Sequence, residues 1–236
     1  MPKCTVIILN YKRPINLRRH ILPSLISNPT VDEIIISHGL VDTYFHGLAK
    51  TRHFKHFVEQ ERTGMLRKLT CATYANNECL MYLDDDILVE PPAINSVIKA
   101  WDQDKTIISG IFGRNCTKEK YVPIDVKETV APIIGGRFLV CSRTAALQAN
   151  DLAYVIDPYM YEHQVKWNGE DIFLSLVTLL HSKRLNRVVK APFRNLADND
   201  AISKMPNHYA IRTHVVQKCF EILPGLVNSI GGGYFD

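Results

Sequence analysis

The sequence predicts an α/β protein built on a central, mostly parallel mixed sheet flanked by helices. Three observations carry that prediction. Strand-like apolar runs alternate with helix-like periodic segments through the first half of the chain. Polar or charged residues follow those strands at their carboxyl ends, where open α/β sheets bind ligands. A run of three aspartates, Asp84-Asp85-Asp86, stands directly after the apolar stretch Cys79-Leu80-Met81-Tyr82-Leu83.

Taken in order, residues 5–9 form a β-rich apolar run, which the polar loop Asn10-Tyr11-Lys12-Arg13-Pro14 ends. Pro14 suits the first turn of a helix, where its missing N–H has no partner to lose. Leu17, Ile21, Leu22, Leu25 and Ile26 give that helix an apolar face, and Asn28-Pro29 stops it. Ile34-Ile35-Ile36 reads as a second strand ending in Ser37-His38-Gly39, and residues 54–58 read as a third. Residues 63–77 are expected to be helical before the strand at 79–83. Pro91-Pro92 then starts a helix whose Ile94, Val97, Ile98 and Trp101 recur at i, i+3, i+4 and i+7.

In the second half, residues 106–112 and 131–141 read as strands. Gly135-Gly136 interrupts the latter, as expected where another backbone comes close. Asn168-Gly169-Glu170-Asp171 precedes a helix carrying Ile172, Phe173, Leu176, Val177 and Leu180. Residues 187–190 read as a last strand and 195–207 as a polar loop. A terminal helix is expected over 209–223, and a glycine-rich tail ends the chain. No repeat, low-complexity tract or linker divides the sequence, so one domain is expected across residues 1–236.

Composition narrows the function classes. With 46% hydrophobic and 22% charged residues, the 236-residue chain is ordinary for a soluble globular protein. Its formal charge of +4 is a mild basic bias without a basic block or aromatic stripe, so nucleic acid is not an expected partner. That excess still favours an anionic substrate. The six cysteines are scattered with no C-x-x-C pair, and four of them sit in apolar runs. Buried reduced thiols are expected rather than a disulfide framework or zinc site. No signal peptide or transmembrane segment is evident, and the expectation is a soluble cytoplasmic protein.

Three carboxylates this close repel one another unless a cation or several donors gather around them. A hard divalent ion such as Mn²⁺ or Mg²⁺ takes carboxylate oxygens and shares its remaining positions with water and substrate phosphates. The aspartate run is therefore expected to form a metal–diphosphate site. Asp86 would be the direct ligand, with Asp84 and Asp85 facing the ribose or binding through water. A solvated turn capping the next helix is the competing reading. Glu170 and Asp171 form a second acidic pair, and acids in a first helical turn complement the dipole whatever their function. Beside them, Trp167 can stack on a sugar face and Gly169 lets the backbone come close. A carboxylate there would serve as general base for an acceptor hydroxyl or would stabilise oxocarbenium character. His208 or His214 is a further candidate metal ligand, although a helix histidine is more often a packing or surface residue.

The ordered set Asn10-Tyr11-Lys12-Arg13, Leu83-Asp84-Asp85-Asp86, Gly135-Gly136 and Asn168-Gly169-Glu170-Asp171 resembles GT-A fold glycosyltransferases. Within them it is similar to the exostosin-like glycosyltransferase domain. The likeness runs through short motifs over nearly the whole chain. It implies a hexosyl- or pentosyltransferase with a UDP-linked sugar donor, a carbohydrate acceptor and Mn²⁺ held by Asp86. It further implies a catalytic role for Asp171 beside Glu170, a diphosphate contact from Arg212, and a nucleotide contact from Arg67 or its neighbour Lys68. On this likeness residues 1–105 are the nucleotide-binding half, with Asn10, Tyr11, Arg13, His38, Arg67, Lys68, Asp84 and Asp85 on the donor. Residues 106–236 are the acceptor-binding and catalytic half, with Gly135, Gly136, Arg137 and Trp167 on the acceptor.

The sequence departs from the family pattern at Lys12, at Gly169 where a cysteine is usual, and at His38 where an asparagine is expected. The motifs specify neither the donor sugar, the acceptor, the linkage nor the stereochemical outcome. A sugar-1-phosphate nucleotidyltransferase is the enzymatic alternative, but it wants a glycine-rich loop after the first strand, and residues 10–14 hold no glycine. A phosphohydrolase would want threonine or valine where Leu88 stands. The non-enzymatic alternative is a carbohydrate-binding domain on the same fold.

Overall fold

The computed structural model describes residues 1–10, 13–38, 54–58, 66–162, 168–196, 204, 206–223 and 225–226; the side chains of 38, 58, 124–125 and 157–162 fall outside that description. The strands are β1 (Cys4–Asn10), β2 (Val31–His38), β3 (Phe54–Val58), β4 (Cys79–Asp84), β5 (Ile87–Leu88), β6 (Ser109–Gly110) and β7 (Gly113–Cys116). They continue as β8 (Tyr121–Asp125), β9 (Val130–Ala131), β10 (Ile133–Ile134), β11 (Phe138–Ser142), β12 (Asn186–Val188) and β13 (Arg194–Asn195). Eight of them form one mixed sheet in the order β3-β2-β1-β4-β11-β6-β12-β9. The first four run parallel, β11 is antiparallel to β4 and β6, and β12 is parallel to β6. A three-stranded sheet β10-β7-β8 and the pair β13-β5 complete the strands among the described residues.

Strand alternation divides the core in two. Val6, Ile8, Met81, Leu83 and Val140 face the 14–26 and Pro91–Asp102 helices, burying Leu17, Leu25, Ile94, Ile98 and Trp101. Ile7, Leu80, Tyr82, Leu139 and Cys141 face the other way, onto the Arg143–Glu162, Glu170–Ser182 and His208–Ile222 helices. Both faces are covered, which is why the strands read as continuous apolar runs rather than alternating ones. Each fully buried aliphatic side chain contributes about 1.5–3 kcal/mol. All six cysteines are buried and free.

Several elements differ from expectation for local reasons. The 14–26 helix contains a π turn at Leu17–Ile21, closed by the Leu22 N–H on the Leu17 carbonyl. It stands just before Pro23, which cannot donate to the helix ladder. The helix expected over 63–77 is described only at Arg67–Cys71, with a 3₁₀ turn at Ala72–Tyr74. Residues 75–77 are not helical, because Asn76 turns its backbone N–H (2.9 Å) and side-chain amide (2.8 Å) onto the buried Glu33 carboxylate. The long strand expected at 131–141 is three short ones, broken at Pro132 and at the turn 135–137. The strand expected at 106–112 shrinks to β6, since the Ile108 N–H bonds the Asn186 side chain (3.0 Å) instead of a strand. The last expected strand, 187–190, forms one residue earlier as β12. The β7–β8 hairpin and the 20-residue Arg143–Glu162 helix were not foreseen. That helix has a cap, Ser142 Oγ accepting the Ala145 N–H at 3.0 Å. Its buried face is mostly alanine, so it carries little apolar signal.

Candidate active site

The sheet order reverses at β1: β2 and β3 lie to one side and β4 to the other. The carboxyl ends of β1 and β4 sit together at this switch point, Leu9 opposite Asp84. Asn10 pairs in register with His38, so the end of β2 lies there too. Because β11 is antiparallel to β4, it starts where β4 ends, and the Asp84 N–H bonds the Arg137 carbonyl at 3.0 Å. One edge of the sheet thus carries residues from sequence segments far apart.

At its outer side is an acid corner. Asp85 is buried, paired with the Arg13 guanidinium, and its carbonyl accepts the Asn16 side-chain amide at 3.0 Å. Asp86, 13% exposed, receives Arg137 Nε at 3.2 Å and Nη2 at 3.1 Å, with Arg13 at 4.0 Å. Burial and the neighbouring Asp84 charge push the Asp86 carboxyl above its ordinary pKa, against the opposing pull of Arg137 and Arg13. Asp84, 25% exposed, bonds Lys68 Nζ at 2.5 Å.

Behind the corner lies a buried pair. Gly169, at φ +104°, opens the Glu170–Ser182 helix in the left-handed region, and a Cβ there would sit 2.9 Å from Val215. Glycine thus fits where the family pattern has cysteine. Asp171 Oδ2 accepts the Gly136 N–H (3.0 Å) and Arg212 Nη2 (2.7 Å), while Oδ1 accepts the Ile172 N–H (2.9 Å). Burial alone would raise its pKa, but the Arg212 charge and these hydrogen bonds hold it below the usual carboxylate range. Arg212 also donates to Asn168 Oδ1 at 2.9 Å and lies 4.5 Å from the Tyr121 ring centroid. Asn168 in turn contacts His208 Nδ1 at 3.0 Å.

Glu170 meets Lys68 Nζ at 3.1 Å. Lys68 is 2% exposed and also reaches the Gly136 carbonyl at 3.4 Å, so one ammonium joins the Arg67–Cys71 helix, β4, the 135–137 turn and the Glu170–Ser182 helix. Burial would lower its pKa, but Asp84 and Glu170 outweigh that and raise it. Two cations, Lys68 and Arg212, serve three carboxylates here, Asp84, Glu170 and Asp171. Burial, with Asp171 and Asp84 close by, pushes Glu170 up to about 7 despite Lys68. Beneath them is a cavity of about 10 Å³, near the size of one water. Tyr82 lines it, and its hydroxyl has no hydrogen-bond partner among the described residues.

The structure therefore brings Asn10, Arg13, His38, Lys68, Asp84, Asp85, Asp86, Gly135, Gly136, Arg137, Glu170, Asp171 and Arg212 to one end of the sheet. Arg67 stacks over Phe57, 5.4 Å from its centroid. Tyr11 and Trp167 lie outside the described residues, and His214 is exposed. Sequence reasoning did not single out Tyr121, Asn195 or the bridging role of Lys68. Tyr121 lies on β8, where Pro123 interrupts the strand signal, and Asn195 on the two-residue polar strand β13.

No protein-family model and no curated protein sequence matches the chain. Solved structures do. A structure of GalNAc-T7 with UDP, GalNAc and Mn²⁺ superposes with a TM-score of 0.62 at 14% identity, covering 92% of this chain and 48% of that one. The mannosyltransferase PcManGT from Pyrobaculum calidifontis, in complex with GDP-Man and Mn²⁺, gives a TM-score of 0.55 at 14% identity, covering 97% of this chain and 72% of that one. The fold is of GT-A type. The chain spans about half the length of GalNAc-T7.

Within this GT-A fold, the acid corner suits a hard divalent ion only in part-open form. Asp84 and Asp86 are near enough for the one charge to disfavour the other, and both are partly exposed. Among the described residues no three His, Cys, Asp or Glu side chains gather as a closed cage. An ion placed there would need its other ligands from water or a bound phosphate, as Mg²⁺ and Mn²⁺ commonly do.

Proposed function

We propose that the protein is a metal-dependent glycosyltransferase that moves a sugar from a nucleotide-sugar donor, UDP-linked, to a carbohydrate acceptor. The observation that carries this reading is the meeting, at the switch point of a GT-A sheet, of the Asp84–Asp86 corner with the Glu170–Asp171 pair, bridged by Lys68. Asp86 would hold Mn²⁺ or Mg²⁺ directly, with Asp84, which Lys68 already occupies, reaching it through water. When bound, the ion supplies Lewis-acid neutralisation of the departing diphosphate. Asn10 and Arg13 lie against the nucleotide side. Arg212, with its terminal nitrogens on Asp171 and Asn168, orients Asp171 at the reacting centre. Glu170, held near neutrality by its surroundings, is the group suited to accept the acceptor hydroxyl's proton. A cleft of about 480 Å³ bordered by Ile111, Lys127, Lys190 and Phe193 receives the acceptor. It adjoins the corner because Phe193 packs edge-on against Phe112 (5.0 Å), over which Arg137 lies.

The test is thermal unfolding with UDP and Mn²⁺, separately and together, and with GDP as comparator. Ligand a hundredfold above its Kd adds about 2.7 kcal/mol, about 5–10 °C for a chain of this size. A shift of that order with UDP and Mn²⁺ together is expected. No shift with any combination would remove the reading. Release of UDP, rather than pyrophosphate, from a panel of UDP-sugars separates glycosyl transfer from nucleotidyl transfer.

A further inference from the structure

The cation on Asp86 differs from every other cation at the site. Arg13 belongs to Asp85, Arg212 to Asp171, and Lys68 is enclosed by three acceptors. Arg137 reaches Asp86 by Nε and Nη2 on a single oxygen, Oδ1, and by Nη2 on the Asp86 carbonyl at 3.4 Å. It is 34% exposed, and its Nη2 is shared between Asp86 and a further acceptor. Nη2 donates to Asn195 Oδ1 at 2.9 Å, and the guanidinium lies 5.3 Å from the Phe112 ring centroid. Asn195 is itself fixed beside the corner, since β13 pairs with β5 and the Leu196 N–H bonds the Asp86 carbonyl at 2.7 Å.

An arginine on the carboxylate that would hold an ion competes with that ion, because two cations brought close together on one carboxylate repel each other. We infer that Arg137 is a latch: it stands in for the divalent ion on Asp86 and lets that carboxylate go when the ion binds, keeping the contacts to Asn195 and Phe112 that it already makes. This rests on the glycosyltransferase reading and adds an order of events to it. The released guanidinium lies beside the corner, where it is available to a diphosphate. Nucleoside diphosphate and ion therefore favour one another: one takes the arginine, the other takes the carboxylate. Arg137 is a positioning residue in this order of events.

The test is Mn²⁺ binding by calorimetry, alone and in saturating UDP. Arg137→Met keeps an apolar chain over Phe112 and removes the charge. It should bind Mn²⁺ alone about tenfold more tightly than the parent and show a smaller gain on adding UDP. Arg137→Lys, a cation without the fork, should fall between them. Asn195→Ala, at an exposed position, removes the contact that holds the guanidinium once Asp86 is released and should weaken Mn²⁺ binding severalfold. Unchanged or weaker Mn²⁺ binding in folded Arg137→Met, with the parent binding UDP and Mn²⁺ together, overturns the latch and leaves the glycosyltransferase reading intact. Should Arg137→Met not fold, unchanged or tighter Mn²⁺ binding by Asn195→Ala overturns the latch. A parent that binds no Mn²⁺ even with UDP removes both.

Discussion

The acid corner and the buried pair use the same materials, carboxylates against Lys or Arg, yet burial makes them different devices. At the corner the counter-ion of Asp86 is a third exposed and is shared with Asn195. In the pair, Lys68 and Arg212 are 2% and 9% exposed and face carboxylates that are buried or partly so. A partly exposed ion pair contributes little to stability and can be exchanged. A buried pair cannot lose one member without leaving an uncompensated charge in the interior. Exchangeable charge suits ligand entry, and locked charge suits a fixed geometry for chemistry.

The contrast breaks most visibly at Lys68. Lys68→Met leaves Glu170 without a cation and Asp84 without its nearest one. It should cost about 3–5 kcal/mol in urea unfolding, and a loss under about 1 kcal/mol would mean that the pair is not locked. Gly136→Ala tests the same enclosure sterically. A Cβ there would lie 2.9 Å from Glu170 Oε1 and 3.1 Å from Asp171 Cβ. Both neighbours are held, so a loss of about 1–3 kcal/mol is expected by denaturant titration.

Next in size is a pH effect. Glu170, raised to about 7, keeps a proton in the folded state that it loses in the unfolded state above its ordinary value of 4.5. Its contribution to stability is therefore complete below about pH 4.5 and is lost as pH rises through about 7. Urea midpoints compared for the parent and Glu170→Gln across that window should converge on different slopes, the parent losing more stability as pH rises. An identical slope would place Glu170 outside the charge-poor interior. The smallest stability effect belongs to the corner. Asp86→Asn should change unfolding by no more than about 1 kcal/mol, while abolishing the joint stabilisation by UDP and Mn²⁺ in thermal unfolding.

Much of this was legible along the chain wherever a local pattern carried it. The apolar runs of β1, β2 and β4 and the spacing of Ile94, Val97, Ile98 and Trp101 announced a sheet with helices on it. Asp84–Asp86 stood out because three like charges after a buried strand need a partner. Less local features did not show. Apart from Ile156, the described side chains that the Arg143–Glu162 helix buries are alanines, β7 and β13 are short and polar, and β8 carries a proline at its centre. Asn76 left its expected helix for Glu33, a residue 43 positions away.

What the residue string determined by itself was the architecture's first half and the identity of the acids, since both follow from short-range periodicity and like-charge repulsion. What only the tertiary structure decided was which cation serves which acid: Arg13 for Asp85, Arg137 for Asp86, Lys68 for Asp84 and Glu170 together, Arg212 for Asp171. All of those pairings but Lys68–Asp84 join residues 41 to 102 positions apart, and their strength depends on burial, which arises only when β11 is laid antiparallel against β4 and the helices close over it.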